Sequence, residues 1–123
     1  MLRQTNVIAF VATSSPERAR TFYQQMLGLR LVSEDGFAIV FDANGVMLRV
    51  QKVQAHTPPP YTVLGWDVAN VHAAVDELSR KGVAFEHFEG MGQDEQGVWT
   101  SPAGARIAWF RDPDGNILSL TQF

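Results

Sequence analysis

The chain has 123 residues, of which 46% are apolar and 11% aromatic, and its formal net charge is −3. This is the length of one domain or of two small modules that share a core. The scattered basic residues exclude a nucleic-acid footprint, and the absence of cysteine excludes disulfides and fits a reducing compartment. No apolar run approaches the ~20 residues of a membrane span, and no charged-then-apolar leader opens the chain. We therefore expect a soluble, cytoplasmic protein without nucleic-acid or membrane partners.

The first half of the chain is predicted to contain a strand, a helix and three further strands, in this order. A short apolar run over residues 7–11 predicts the first strand. The segment Ser15-Pro16-Glu17 predicts a helix start, because serine caps free N–H groups, proline fits the first turn and glutamate opposes the helix dipole. The helical spacing of apolar residues then continues until Gly28 ends the helix. Three further strands are predicted over residues 29–33, 37–41 and 46–53, with a hairpin turn at Asp42-Ala43-Asn44-Gly45.

The same order of elements recurs in the second half. Thr57-Pro58-Pro59-Pro60 cannot donate to a sheet ladder and marks a linker. A strand over residues 62–68 then leads to a helix from about Asn70 to Lys81. The remaining strands are predicted over residues 83–88, 98–100, 105–111 and 117–121. Residues 89–96 form a polar loop longer than the other turns, and we expect it to be a lid, because long loops often carry function.

The repeat predicts an α+β fold of two tandem βαβββ modules, each a curved mixed sheet with one helix packed on it. We expect a single domain over residues 1–123. It consists of module 1 (4–53), a Pro-rich linker (54–60) and module 2 (61–123). The cavity between or within the modules is the place where function is expected.

Three motifs, in order along the chain, connect this repeat to a known family. They are Pro16-Glu17-Arg18-Ala19, then Phe22-Tyr23 with Leu27-Gly28-Leu29, and finally Phe110-Arg111-Asp112-Pro113-Asp114-Gly115-Asn116. Together they resemble the glyoxalase / bleomycin-resistance / extradiol-dioxygenase group, also called the vicinal oxygen chelate (VOC) superfamily. The resemblance covers nearly the whole length and implies the fold, and it also implies a homodimer, since members commonly pair. One fold hosts many functions, so it says much less about activity.

Enzymes of this superfamily typically hold a divalent metal with four side chains, from the first and last strands of both modules. The resemblance places these four positions at Asn6, Arg49, Val63 and Ser119. Valine has no lone pair to offer, and arginine is a fixed cation that repels a metal ion. The three histidines do not replace them, because no two have a spacing that brings them onto one face of an element. We therefore expect neither a metal nor another cofactor.

Side chains two residues apart on a strand share a face, so the neighbours of these four positions predict the lining of the cavity. The predicted ligand-binding residues are Asn6, Ile8, Phe10, Arg49, Gln51, Trp99, Ser119 and Thr121. Apolar walls with a few polar groups are typical of a small-molecule pocket. Arg49 is predicted to clamp an anion with its bidentate fork; alternatively it pairs with a carboxylate of the chain or lies across an interface. Trp99 is predicted to offer an aromatic wall, whereas Trp66 is predicted beneath the helix.

The leading functional prediction is a metal-independent protein that sequesters or senses a small planar or anionic molecule. The alternative is a VOC-type lyase, isomerase or dioxygenase that uses a displaced metal or metal-free acid–base chemistry. Asp94 is the candidate general base for that chemistry, and with Gln96 it is placed to close over a ligand. A third possibility is a structural or regulatory module whose cavity has closed.

Overall fold

The computed structural model describes residues 1–123 and divides them into two units, Met1–Thr57 and Pro58–Phe123. The boundary falls within the proline-rich segment. Neither α-helix reaches the length and hydrophobicity of a membrane-spanning segment.

The first unit is a four-stranded mixed sheet with one helix. Its elements follow a short 3-10 turn at Leu2–Gln4, and they are β1 (Ile8–Thr13), α1 (Pro16–Thr21), β2 (Arg30–Glu34), β3 (Ala38–Ala43) and β4 (Val46–Lys52). The strand order is β1-β4-β3-β2, with β1 parallel to β4 and the other pairs antiparallel. The predicted βαβββ order of this half is confirmed.

Helix α1 begins at Pro16 as predicted but is shorter and less regular. It ends at Thr21 and continues as one π-helical turn, Phe22–Met26, in which Phe22 and Tyr23 are both buried. The ring of Tyr23 packs on that of Phe41 in β3, with 5.9 Å between the centroids, so this turn lies against the sheet.

The predicted cap of α1 by the Ser15 side chain is wrong. The Ser15 side chain makes no cap hydrogen bond. Instead, its backbone N–H donates to the hydroxyl of Thr13 at 3.0 Å, which is a local bond that competes with a regular cap. The start of the helix therefore depends on Pro16 and on the turn before it.

The hairpin between β3 and β4 is the predicted one. Asn44 and Gly45 form a two-residue loop with φ of 51° and 91°. Two successive positive φ values are typical of the type I′ turn, whose twist matches that of the flanking strands. The carboxylate of Asp42 accepts a hydrogen bond of 3.0 Å from the N–H of Gly45. This turn fixes the register in which Asp42 stands opposite Met47.

A charge cluster joins α1, β2 and β4. Glu34 accepts two hydrogen bonds from Arg20, of 2.8 and 3.0 Å, and lies 2.7 Å from Nζ of Lys52. The bonds from Arg20 first, and then from Lys52, lower the pKa of the Glu34 carboxyl from 4.5 to about 2. All three side chains are about a quarter to a third exposed, so we expect a modest contribution to stability.

The second unit repeats this architecture. Its elements are β5 (Thr62–Asp67), α2 (Val71–Arg80), β6 (Trp99–Thr100), β7 (Arg106–Arg111) and β8 (Ile117–Gln122). The strand order is β5-β8-β7-β6, with β5 parallel to β8. Asn70 caps α2, since its side chain accepts a hydrogen bond of 3.1 Å from the N–H of Ala73.

The strand predicted over residues 83–88 is wrong as a continuous element. Only Phe85 forms a bridge, to Phe110, while the N–H of Glu86 donates to the carbonyl of Trp109 at 2.8 Å. The other end of β7 pairs with the two-residue strand β6. The edge strand of the second sheet is therefore split, and the residues between its two parts leave the sheet. The Gln93 side chain takes the place of the missing ladder hydrogen bonds. Its Oε1 accepts a hydrogen bond from the N–H of Phe88, and its Nε2 donates to the carbonyls of Glu86 and Gly97.

The turn between β7 and β8 is closed by a buried carboxylate. Asp112 accepts hydrogen bonds of 2.9 and 3.0 Å from the backbone N–H groups of Asp114 and Asn116, and one of 2.8 Å from the Asn116 side chain. Gly115 has a φ of 85°, and a Cβ there would lie 3.0 Å from Cγ of Pro58. The turn therefore needs glycine for its backbone and for its contact with the proline segment.

Candidate functional site

The first sheet has one face that carries the helical segment and one open face. Leu48 and Val50 are buried on the helix-bearing face. The residues that alternate with them face the other way, and pairing brings them together with residues of β1 and β3. The large apolar side chains of Ile8, Phe10 and Met47 on this open face are 47%, 55% and 42% exposed. The unit therefore presents a row of solvent-accessible apolar groups.

Arg49 lies within this open face. It pairs with Phe10 on one side and with Val40 on the other. Within the first unit no carboxylate lies at ion-pair distance from its guanidinium, and no hydrogen bond holds it. Its charge acts at longer range on Asp35, whose pKa is lowered first by two backbone N–H groups and to a smaller extent by Arg49. The alternative in which Arg49 pairs with a carboxylate of its own module is not seen.

A cavity of about 370 Å³ opens at the hairpin end of the open face. Val40 and Met47 belong to its apolar lining, and Asn6 belongs to its polar rim. The rim also contains Arg30 and Asp42, which stand directly opposite each other with 3.8 Å between Nη2 and Oδ2. This mixture of apolar walls and a few polar groups is suited to a small molecule.

The structure distributes the predicted site residues of the first module along this face. Asn6 and Ile8 line the cavity, whereas Phe10, Arg49 and Gln51 lie on the same face beyond it. Arg49 pairs with Phe10, which is four residues after Asn6. An extended chain of four residues spans about 13 Å. Asn6 and Arg49 are therefore apart along the strand direction of one face, and a site that includes both stays a prediction.

The predicted residues of the second module share one face of the second sheet. Trp99 of β6 and Thr121 of β8 both pair with Ile107, while Ser119 pairs with Trp109. The rings of Trp99 and Trp109 lie 6.1 Å apart between centroids. Trp66 pairs with Leu120 and stacks on Phe110, so it lies on the opposite face, as predicted.

Ser119 has a close packing partner that the sequence did not indicate. It is buried and pairs with Gly65 of β5, where a Cβ would lie 2.6 Å from the Ser119 hydroxyl oxygen. Val63 lies at a register shift between Thr62 and Leu64 and is not the partner of Ser119. The Ser119 hydroxyl therefore fills the space above a glycine.

Asp94 is part of an anchored loop. Its Oδ2 lies 2.8 Å from Nε2 of His72 on α2, and its Oδ1 accepts hydrogen bonds of 2.9 Å from the N–H groups of Gln96 and Val98. Burial acts to raise the pKa of Asp94, but the hydrogen bonds from His72 and the two amides outweigh it, so the pKa is lowered. Gln96 also donates to Asp76 at 2.7 Å. These bonds tie the loop to α2 and account for Asp94 as an anchor rather than as part of a closing lid.

The residues present do not fit a divalent metal. Asn6, Arg49, Val63 and Ser119 supply neither a carboxylate nor an imidazole. Nowhere in residues 1–123 do three or more histidine, cysteine, aspartate or glutamate side chains gather in a group that fits a metal ion.

Comparison with known proteins identifies the family. Residues 5–120 match the family model of the Glyoxalase/Bleomycin resistance protein/Dioxygenase superfamily. The fold is similar to the glyoxalase family protein from Enterococcus faecalis, with a TM-score of 0.78, 17% identity and coverage of 98% of this chain and 99% of that chain. It is also similar to a superfamily member from Sphaerobacter thermophilus DSM 20745, with a TM-score of 0.72, 21% identity and coverage of 98% and 99%. A comparison with curated proteins gives no match. With 116 of its 123 residues inside the matched region, this chain belongs to the Glyoxalase/Bleomycin resistance protein/Dioxygenase superfamily.

Proposed function

We propose that this protein is a metal-independent binder of a small planar or anionic molecule, which it sequesters or senses. The ligand lies on the open face of the first sheet, with its anionic group at Arg49. The guanidinium of Arg49, which has no ion-pair partner within its unit and stands among exposed apolar side chains, is the observation that carries the proposal. Such an arginine offers a fixed positive charge and a bidentate fork to a carboxylate, sulfonate or phosphate.

The surroundings of Arg49 support a ligand with an apolar body. Phe10, opposite Arg49 on β1, and Met47, two residues before it on β4, are half exposed, and contiguous apolar surface in soluble proteins often marks a binding site. Val40, directly opposite Arg49, belongs to the lining of the cavity, which gives the body of the ligand room next to the charge.

The enzymatic alternative has less support. Asp94, its candidate base, is occupied by hydrogen bonds that anchor a loop to α2. The homodimer and the cytoplasmic setting that the sequence predicts remain part of the proposal.

The proposal is tested with two fluorescent probes that share one ring system. These are 1-anilinonaphthalene-8-sulfonate and its uncharged counterpart N-phenyl-1-naphthylamine. Arg49→Met keeps the apolar stem and removes the charge. It is expected to weaken sulfonate binding about tenfold, the size of one charge-assisted contact at a partly exposed site. Binding of the uncharged probe is expected to be unchanged, and Arg18→Met, at an exposed position on α1, serves as the matched control.

Two results contradict the proposal. If wild type and Arg49→Met bind the sulfonate probe equally tightly, Arg49 does not hold the anionic group. If elemental analysis of protein purified without chelator finds a stoichiometric divalent metal, the claim that the protein is metal-independent is contradicted.

A further inference from the structure

The open face of the first sheet carries two opposite charges on a diagonal between neighbouring strands. Asp42 on β3 stands opposite Met47 on β4, and Arg49, two residues further along β4, stands opposite Val40. All four side chains share the open face, and diagonal neighbours in an antiparallel pair are about 7–8 Å apart. The charges of Asp42 and Arg49 therefore occupy one diagonal, and the apolar side chains of Val40 and Met47 occupy the other.

Asp42 has one carboxylate oxygen to offer a ligand. Its Oδ1 accepts the hydrogen bond from Gly45 N–H at 3.0 Å, whereas its Oδ2 lies 3.8 Å from the nearest nitrogen of Arg30, beyond hydrogen-bond distance. The Arg30 side chain is 71% exposed and the Asp42 side chain 34%, so both are accessible to a small molecule. Oδ2 is therefore placed to accept a hydrogen bond.

The charges around this diagonal limit the ligand further. Asp42 places a negative charge at one end of this diagonal, whereas Arg49 places a positive charge at the other. A ligand that binds Arg49 through an anionic group is expected to carry a neutral donor at its other end, because a second anion near Asp42 meets repulsion.

The apolar diagonal provides the surface between the two polar ends. Val40 is buried and Met47 is 42% exposed, and both line the cavity of about 370 Å³. A flat ring that lies over these two side chains brings substituents on opposite sides of the ring toward Asp42 and Arg49.

We infer that the site takes an aromatic monoanion that carries a neutral hydrogen-bond donor para to its anionic group. The anionic group accepts hydrogen bonds from Arg49, and the donor at the far end donates to Oδ2 of Asp42. This inference rests on the proposed function, because it uses Arg49 as the anion clamp. It adds Asp42 as the residue that recognises the neutral donor at the far end of the ligand.

The test compares benzoate, 4-hydroxybenzoate and 4-methoxybenzoate by calorimetric titration of the full chain. Wild type is expected to bind 4-hydroxybenzoate about tenfold more tightly than benzoate, which is the size of one net hydrogen bond, and 4-methoxybenzoate no more tightly. Asp42→Asn keeps an acceptor for Gly45 N–H, so the hairpin is retained. This variant is expected to lose the tenfold preference for 4-hydroxybenzoate over benzoate. Glu77→Gln, an exposed carboxylate on α2, is the control and is expected to retain the preference.

The opposing outcomes separate the inference from the proposed function. Equal binding of benzoate and 4-hydroxybenzoate, both weakened in Arg49→Met, overturns the inference and leaves the anion clamp in place. Tighter binding of terephthalate, a dianion, than of 4-hydroxybenzoate also overturns it, because Arg30 then reads the far end. If no benzoate binds and sulfonate binding is independent of Arg49, both proposals fail.

Discussion

The close approach of β5 and β8 at Gly65 leads to a stability prediction for Gly65→Ala. An alanine Cβ at this position would lie 2.6 Å from the Ser119 hydroxyl oxygen and 3.4 Å from the Ser119 carbonyl oxygen. The φ of Gly65 lies outside the left-handed region, so the backbone itself tolerates alanine. Any cost therefore comes from the contact with Ser119.

The expected size of the effect follows from two opposing terms. Gly65 is exposed, but the added methyl group meets the buried Ser119, and overpacking against a buried neighbour costs about 1–3 kcal/mol. Replacing glycine by alanine at a compatible position stabilises the folded protein by about 0.4–1 kcal/mol, because the unfolded chain has less conformational entropy. The net loss in the free energy of unfolding is therefore between zero and about 2.6 kcal/mol, or up to about 10 °C in Tm for a chain of this size.

A double-mutant cycle isolates the contact. Ser119→Ala removes the hydroxyl, and in that background Gly65→Ala is expected to be neutral or stabilising by up to about 1 kcal/mol. The coupling energy between the two positions is then about 1–3 kcal/mol. Urea unfolding followed by tryptophan fluorescence measures all four proteins. An equal loss from Gly65→Ala in both backgrounds would show that the hydroxyl is not the cause.

Two further predictions concern the charged side chains. The pKa of Glu34 is about 2 in the folded protein and 4.5 ordinarily, so its contribution to stability is fully present above about pH 4.5 and is lost as the pH falls toward 2. In Glu34→Gln, the urea concentration at the unfolding midpoint should depend less on pH between these two values than in wild type. An unchanged dependence on pH would contradict the role of the two basic partners of Glu34. Asp94→Ala should speed hydrogen exchange at the N–H of Val98 without affecting the centre of α2. Unchanged exchange at that amide would mean that Asp94 does not anchor the loop.

The order of elements could be predicted from the sequence because local chemistry determines it. Asn44-Gly45 suits a two-residue hairpin in any context, and Asn70 caps α2 with its own side chain. These signals lie within a few residues of the structure that they specify, which is why the predicted α+β fold is confirmed.

The site was harder to predict because it depends on pairing between distant segments. The residues near Asn6 do not determine which residue of β4 lies beside it, and in the observed register Arg49 stands opposite Phe10, four residues after Asn6. The bond between His72 and Asp94 joins residues 22 positions apart without a motif. The apolar residues of 83–88 are typical of a strand, but the side-chain bonds of Gln93 take the place of the ladder.

The split margin of the second sheet has a consequence for aggregation. A long, flat, uninterrupted margin is a template onto which a foreign strand can add, and this is how β proteins grow into fibres. Here an approaching strand meets the short segment around Phe85 and then the two residues of β6, and the anchored loop separates the two. The interruption leaves only short stretches for an added strand, so we expect this side of the sheet to resist polymerisation without proline or a row of lysines.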